Sequence, residues 1–361
     1  SMQFLNIKDP TTIKVMRLGL IQVGYNAQRM GHQLFKRFGF LRGNIPSATV
    51  GKAPIKEFVI EFVKKPLPVG LPAKTTRAML GLEDGNTIPI IRDPMKDGDA
   101  VFYFPGCGSE RLFSQVGLAT LAMLYETGAT TVLPPTYLCC GYPQNASGDT
   151  KKGTKISTEN RVLFHRIAHV LRYLKINTVI MSCGTCMDQL LKYEFEAIFP
   201  ECRLLDIHEY LKEQGVHLEG VKGTQYLYHD PCHSPIKHYE PTELVSELMG
   251  QTVIKSDRCC GEAGTFAVNR PDISSQLRFR KEEEIKQGVE VLTKKQQAEQ
   301  GRVKLLTNCP ACQQGLSRYA DATEVETDYI VVEIANELLG NGWQQQFIRQ
   351  ASHGGIEKVL L

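Results

Sequence analysis

Short apolar runs alternate along the chain with longer segments whose apolar positions recur every three to four residues. Ala100-Val-Phe-Tyr-Phe104 and Thr224-Gln-Tyr-Leu-Tyr-His229 read as buried strands. Each is followed by a helical pattern that stops at a glycine, Gly128 and Gly250, and then by a second strand over 130–133 and 252–254. A third strand, over 178–181 and 303–306, leads into helical sequence, a further apolar stretch (203–207 and 328–332) and another helix. Strands alternating with helices at this spacing predict β-α-β units on mainly parallel sheets. The fold class expected is α/β, with two tandem, pseudo-symmetric Rossmann-like repeats over 99–222 and 223–340 and a C-terminal tail over 341–361. Residues 1–98 stay outside the repeat. Thr11 or Thr12 can cap a helix running toward Phe38, the prolines 66, 68 and 72 break the chain, and 84–98 reads as a loop rich in Asp, Gly and Pro. This part is expected to be a helical extension or linker packed on the first repeat.

Composition narrows the class. The 361 residues are 42% hydrophobic and 22% charged, which suits a folded globular chain and excludes a disordered or fibrous one. Lys+Arg 42 against Asp+Glu 39 leaves +3, too small and scattered an excess for nucleic-acid binding. No apolar run approaches the ~20 residues of a membrane span, and the first 30 residues carry no secretory signal pattern. A cytoplasmic location is expected, with attachment to the inner face of the membrane only through a partner.

The 11 cysteines change the picture. Ten fall into two sets with one order: a lone Cys, then Cys-Cys-Gly, then Cys-x-x-Cys. The first set is Cys107, Cys139, Cys140, Cys183 and Cys186; the second is Cys232, Cys259, Cys260, Cys309 and Cys312. Corresponding members lie 125, 120 and 126 residues apart, so the chain contains a tandem repeat of that length. The first gap is five residues shorter in the second set, which a shorter intervening helix explains. Every cysteine element follows a predicted strand, at the sheet edge where open α/β folds place ligands. Cys202 is left over and reads as a small buried hydrophobe. An odd count without a secretory signal argues against a disulfide framework.

Thiolates at Cys-x-x-Cys spacing bind soft or borderline metals, zinc or iron–sulfur clusters. Structural zinc is satisfied by four ligands, and five per repeat exceeds that in both copies. Adjacent cysteines diverge and do not easily grip one small ion, whereas a multi-iron cluster spreads its ligand positions. An iron–sulfur centre is therefore favoured, with zinc and unmetallated thiols as the alternatives.

Tyr-Phe-Pro-Gly-Cys (103–107), Leu-Cys-Cys-Gly (138–141), His-Asp-Pro-Cys-His (229–233) and Arg-Cys-Cys-Gly-Glu-Ala-Gly (258–264) resemble the cysteine-rich CCG domain. That domain occurs twice in one subunit of heterodisulfide reductase and in iron–sulfur subunits of glycolate, lactate and glycerol-3-phosphate oxidising enzymes. The resemblance covers roughly 99–340. It implies one or two [4Fe-4S]-type clusters, noncubane in heterodisulfide reductase, held by the ten cysteines of the two sets. The gaps before Cys-x-x-Cys, 43 and 49 residues, are longer than is usual for that family and leave the cluster type open.

The resemblance further implies an oxidoreductase module that passes electrons between a flavin-containing 2-hydroxy-acid dehydrogenase and a quinone or other carrier. FAD is expected on a flavoprotein partner or an upstream domain, since this sequence has no cysteine before 107 and no dinucleotide fingerprint. The chain is thus expected to be one piece or subunit of a larger enzyme. Disulfide reduction as in heterodisulfide reductase is the alternative within redox chemistry, and a zinc-bearing or metal-free scaffold the alternative outside it.

Around the cysteines, His229, His233 and Arg258 are candidates to hydrogen-bond cluster sulfides or an anionic substrate; loop packing is the plainer reading. Glu262 is a candidate proton relay, or else a solvated carboxylate. Asp230 before Pro231 reads as a turn former. His165 and His169 have metal-pair spacing but lie opposite the apolar stripe of their helix. The charge run 278–286 reads as an exposed helix with opposite-sign pairs.

Overall fold

The computed structural model describes residue 68 and residues 70–146, 148–261, 271–295 and 301–361. Thr11, Thr12 and most of the N-terminal extension lie outside the described residues.

A short helix α1 (Thr76–Leu80) and strand β1 (Thr87–Ile91) precede the first repeat. The repeat then runs β2 (Ala100–Phe104), α2 (Ser114–Glu126), β3 (Thr130–Val132), α3 (Thr150–Val170), β4 (Thr178–Met181), α4 (Gly184–Leu190), β5 (Arg203–Asp206) and α5 (Ile207–Glu213). The second repeats that order: β6 (Thr224–His229), α6 (Pro241–Met249), β7 (Ile254–Lys255), α7 (Pro271–Lys295), β8 (Arg302–Thr307), α8 (Pro310–Leu316), β9 (Glu326–Tyr329) and α9 (Ile330–Leu339). The parallel strands lie in the order β3-β2-β4-β5 in one sheet and β7-β6-β8-β9 in the other. The protein is therefore α/β, with the same parallel topology built twice.

The order reverses between the first and third strand of each repeat, which opens a crevice at their carboxyl ends. Helices cover both faces of these sheets, so Val101, Phe102, Tyr103 and Phe104 are all buried and the strand reads as a continuous apolar run. The second repeat's first helix is the shorter, 9 residues against 13, as its smaller cysteine gap requires. It begins at Pro241 behind the Glu240 cap and ends at Gly250, whose φ of 63° is left-handed.

Three features differ from the pattern of the sequence. β1 lies within the stretch read as a loop; Pro89 at its centre hides the strand signal. The C-terminal tail carries α10 (Trp343–Gln350) and β10 (Ile356–Leu360), and β10 pairs antiparallel with β1 to extend the first sheet. The charge run is only partly solvated. Glu282 and Lys286 pair on the exposed side at 2.8 Å, but α7 turns Arg278, Lys281, Ile285 and Leu292 inward on one stripe.

The repeats pack reciprocally. α9 of the second lies on α2 of the first, and α5 of the first meets α6 of the second. Both apolar cores contain side chains from both repeats, Phe164 with Leu305 in one and Leu118 with Tyr329 in the other. Among the described residues no helix is long and apolar enough to cross a membrane.

Candidate metal centre

Each cysteine element follows a strand. Cys107 and Cys232 come after β2 and β6, the Cys-Cys pairs after β3 and β7, and Cys183 and Cys309 sit at the N-caps of α4 and α8. Parallel topology thus brings five thiols to one edge in each repeat. Gly141 and Gly261, which close the Cys-Cys-Gly turns, have φ of 90° and 76°, a conformation that favours glycine.

The ten thiols form one continuous run in which each influences the ionisation of its neighbours. From the first repeat it runs Cys107, Cys139, Cys140, Cys186, Cys183. It crosses to Cys309 and continues through Cys312, Cys260, Cys259 and Cys232. Cys260 Sγ lies 3.1 Å from Cys312 Sγ. The six middle members are buried; Cys107, Cys139 and Cys259 are half-buried, and Cys232 is exposed. The sulfur chain is an arch with a dry centre and two ends near the surface. Cys202 lies outside it, half-buried against the core that contains Phe164 and Leu305, with burial and then Glu196 pushing its thiol up to about 11.

Close backbone approach holds the arch together. A Cβ at Gly106 would lie 2.7 Å from Cys186 Sγ, and one at Gly108 2.6 Å from Pro310 Cβ of the other repeat. A Cβ at Gly184 would collide with the His233 carbonyl. The loop bearing each lone cysteine therefore docks on the Cys-x-x-Cys turn of the opposite repeat. Behind the first Cys-Cys pair, Asn160 donates to the Cys139 carbonyl at 2.8 Å and Tyr193 to that of Cys140 at 2.9 Å.

Thiol titration is shared along the run and across the junction of the two sets. Hydrogen bonds from Cys139 and Cys186 bring Cys140 down to about 6, and those from Cys186 and Cys309 hold Cys183 well below the ordinary thiol range. Cys259 is lowered by Cys232 and Cys260. Their donors are pushed up in return. Lowered thiols among buried sulfur donors give soft-metal ligands in their reactive form.

The flanking candidates divide. His229 is fully buried at the end of β6, with its ring nitrogen and the sulfurs of Cys260 and Cys312 all within 4.8 Å of one another. Burial, reinforced by the Lys281 ammonium, lowers it to about 3, so the ring is neutral. His233 accepts from the Tyr142 hydroxyl at 2.8 Å and donates from Nδ1 to Asp188, which Lys237 also contacts at 3.1 Å. This relay spans the repeats at the rim of the arch. Arg258 is half-exposed and turns away from the sulfurs, donating to the Arg280 carbonyl at 2.7 Å. Glu262 lies outside the described residues. Asp230 accepts from Tyr228 at 3.2 Å in the turn after β6. His165 and His169 are exposed on α3.

Tyr142, Asp188 and Lys281 were not singled out by sequence reasoning. Tyr142 and Asp188 each lie two residues past a cysteine, which is a usable signal. Lys281 is betrayed by its spacing of four from Ile285.

Ten convergent sulfurs with a dry middle, left-handed glycine turns and a buried imidazole nitrogen without a hydrogen-bond partner among the described residues make a donor set suited to a soft polynuclear centre. The twin parallel sheets and the duplicated sulfur site define a two-repeat cysteine-rich protein. The family model described as the cysteine-rich domain, CCG, matches residues 101–191 and 226–317, just over half of the chain. The chain belongs to that family. A domain of unknown function, DUF3400, matches residues 317–361.

Among curated proteins, the chain is 27% identical over 228 residues to a subunit of the fumarate reductase (CoM/CoB) of Methanothermobacter marburgensis, covering 60% of this chain and 41% of that protein. It is 29% identical over 204 residues to the "probable glycolate oxidase iron-sulfur subunit" of Bacillus subtilis, covering 51% and 44%. Lactate utilization protein A of Shouchella clausii is 26% identical over 198 residues, covering 49% of this chain and 78% of that protein. The chain spans under half the length of the first two.

Proposed function

We propose that the chain is an iron–sulfur electron-transfer module of an oxidoreductase. Cys107, Cys139, Cys140, Cys183 and Cys186 would hold one [4Fe-4S]-type cluster, and Cys232, Cys259, Cys260, Cys309 and Cys312 a second, each within one repeat (99–222 and 223–340). The observation that carries this reading is the convergence of each quintet into a linked set at the strand ends. A bound cluster supplies one-electron transfer at a potential between roughly −700 and +450 mV. The chain's own residues hold the sulfurs, exclude water from the middle of the arch, and leave the Cys107 and Cys232 ends near the surface for exchange with partners.

The names of the relatives support a 2-hydroxy-acid oxidising system. In this reading a flavoprotein partner or domain with FAD delivers electrons and a quinone or other carrier receives them. The module works in the cytoplasm, where thiols stay reduced, and reaches the inner face of the membrane through its partner.

One observation favours a second reading. The quintets meet at Cys183 and Cys309, so two one-electron centres would stand side by side. That arrangement suits reduction of a disulfide, in which RSSR′ takes two electrons and two protons to give RSH and R′SH and the S–S bond breaks. The His233 relay at the rim is placed to supply a proton.

Anaerobic purification with iron, sulfide and zinc analysis and EPR tests the proposal. Brown protein with about four irons and four sulfides per filled site is expected. Colourless protein carrying zinc, or no metal, would overturn it in favour of a structural scaffold. Copurification of a flavoprotein supports electron transfer; turnover of a disulfide with a reduced dye supports the second reading.

A further inference from the structure

We infer that His229 is itself a metal ligand, so that the second sulfur set holds its centre with one nitrogen as well as with sulfur. This deepens the iron–sulfur reading and rests on it. One ring nitrogen of His229 and the sulfurs of Cys260 and Cys312 all lie within 4.8 Å of one another. Among the described residues no other group of three His, Cys, Asp or Glu donor atoms is as compact. Ligands bound to one metal atom stand roughly 3.5–4 Å apart, so these three are spaced to reach the same one.

The buried imidazole calls for a partner. A ring nitrogen sealed from water keeps its desolvation cost unless something binds it. Nδ1 is accounted for, with the Ser256 carbonyl and Lys281 Nζ each 3.2 Å away. Nε2 has no hydrogen-bond partner among the described residues, although the ring is fully buried. Ligation takes the Nε2 lone pair and leaves the ring hydrogen on Nδ1, where the Ser256 carbonyl accepts it. A backbone carbonyl braces metal-bound imidazoles in this way. That oxygen has two lone pairs and also serves Lys281 Nζ at 3.2 Å. Lys281 further donates to Ser256 Oγ at 2.6 Å and to Glu284 at 3.2 Å, which holds a buried ammonium beside the thiolates.

The position is specific to the second repeat. Strand register makes Phe104, paired with Met181 at the end of β2, the counterpart of His229, paired with Thr307 at the end of β6. Each stands three residues before its lone cysteine. Phe104 packs on Phe164 of α3 with ring centroids 6.1 Å apart, and a phenyl ring has no lone pair to offer. The duplicated fold places a ring at this strand end twice, and only the second carries a ligand atom.

The test is pulsed EPR on anaerobically prepared protein in which histidine alone carries isotopically labelled nitrogen. Spectra are recorded in the dithionite-reduced and ferricyanide-oxidised states, with iron and sulfide measured in parallel. Wild type should show the strong coupling of a directly bound imidazole nitrogen. His229→Phe, which copies the first repeat, should lose that coupling. His229→Cys returns a soft ligand to the position and should keep iron and sulfide while losing the coupling, including where the Phe variant fails to fold. Iron-loaded wild type without histidine coupling in either state would overturn the inference, as would coupling that survives in His229→Cys. Wild-type protein without iron and sulfide would refute the iron–sulfur reading itself and this inference with it.

Discussion

The thiols of Cys183 and Cys309, one from each repeat, are neighbours at the middle of the sulfur arch, where each shifts the ionisation of the other. Both residues are buried N-caps of their Cys-x-x-Cys helices. The two sulfur sets of this duplicated fold therefore adjoin rather than stand apart.

A substitution inside one quintet should still empty only one site. Cys260 has its sulfur partners, Cys259 and Cys312, within the second repeat. Cys260→Ser is expected to lower iron content to about half in doubly loaded protein, with the helical circular-dichroism signal preserved. Cys202→Ser, outside the arch, is the control and should retain full content. Unchanged iron in Cys260→Ser would show that this residue is no ligand.

The contact between Gly184 and the His233 carbonyl makes a sharp steric prediction. Backbone cannot swing aside as a flexible side chain does, so a methyl group there must push the repeats apart. Gly184→Ala is expected to destabilise the fold by about 1–3 kcal/mol, the usual cost of overpacking. Urea denaturation reads it as a fall in midpoint; an unchanged midpoint would mean that the two loops do not meet.

The parallel repeats and the strand-end placement of ten cysteines were legible in the sequence because period, spacing and repetition are local signals. The junction of Cys183 with Cys309 was not, since spacing along a chain does not say how two repeats face each other. Lys281 was hidden because a lysine among Arg278, Arg280, Glu282, Glu283 and Glu284 looks solvated; only the stripe through Ile285 and Leu292 turns it inward. β10 was missed because its partner, β1, is disguised by Pro89 and lies far away in sequence.

Glu333 is held by two buried partners, Lys304 Nζ at 2.5 Å and the Tyr226 hydroxyl at 2.6 Å. Removing the carboxylate leaves the Lys304 ammonium buried without its closest counter-charge. Glu333→Leu should cost about 3–5 kcal/mol, while adding Lys304→Met to it should give a double variant that costs less than that single change. Chemical denaturation of the four proteins of that cycle checks it. Additive losses would mean that the pair is not coupled.

Asp328 supplies a pH signature. Burial foremost, countered by Lys304 and aided by Glu333, pushes its carboxyl up to about 7, against about 3.9 in an unfolded chain. Between those values the folded protein keeps a proton that the unfolded chain has released. The contribution of Asp328 to stability therefore falls as pH rises through that window and is constant above it. Asp328→Asn mimics the protonated form at every pH. The variant should gain on the wild type as denaturation is moved from pH 5 to pH 8, and a difference that stays flat or shrinks over that range would mean that Asp328 is already ionised in the fold at pH 5.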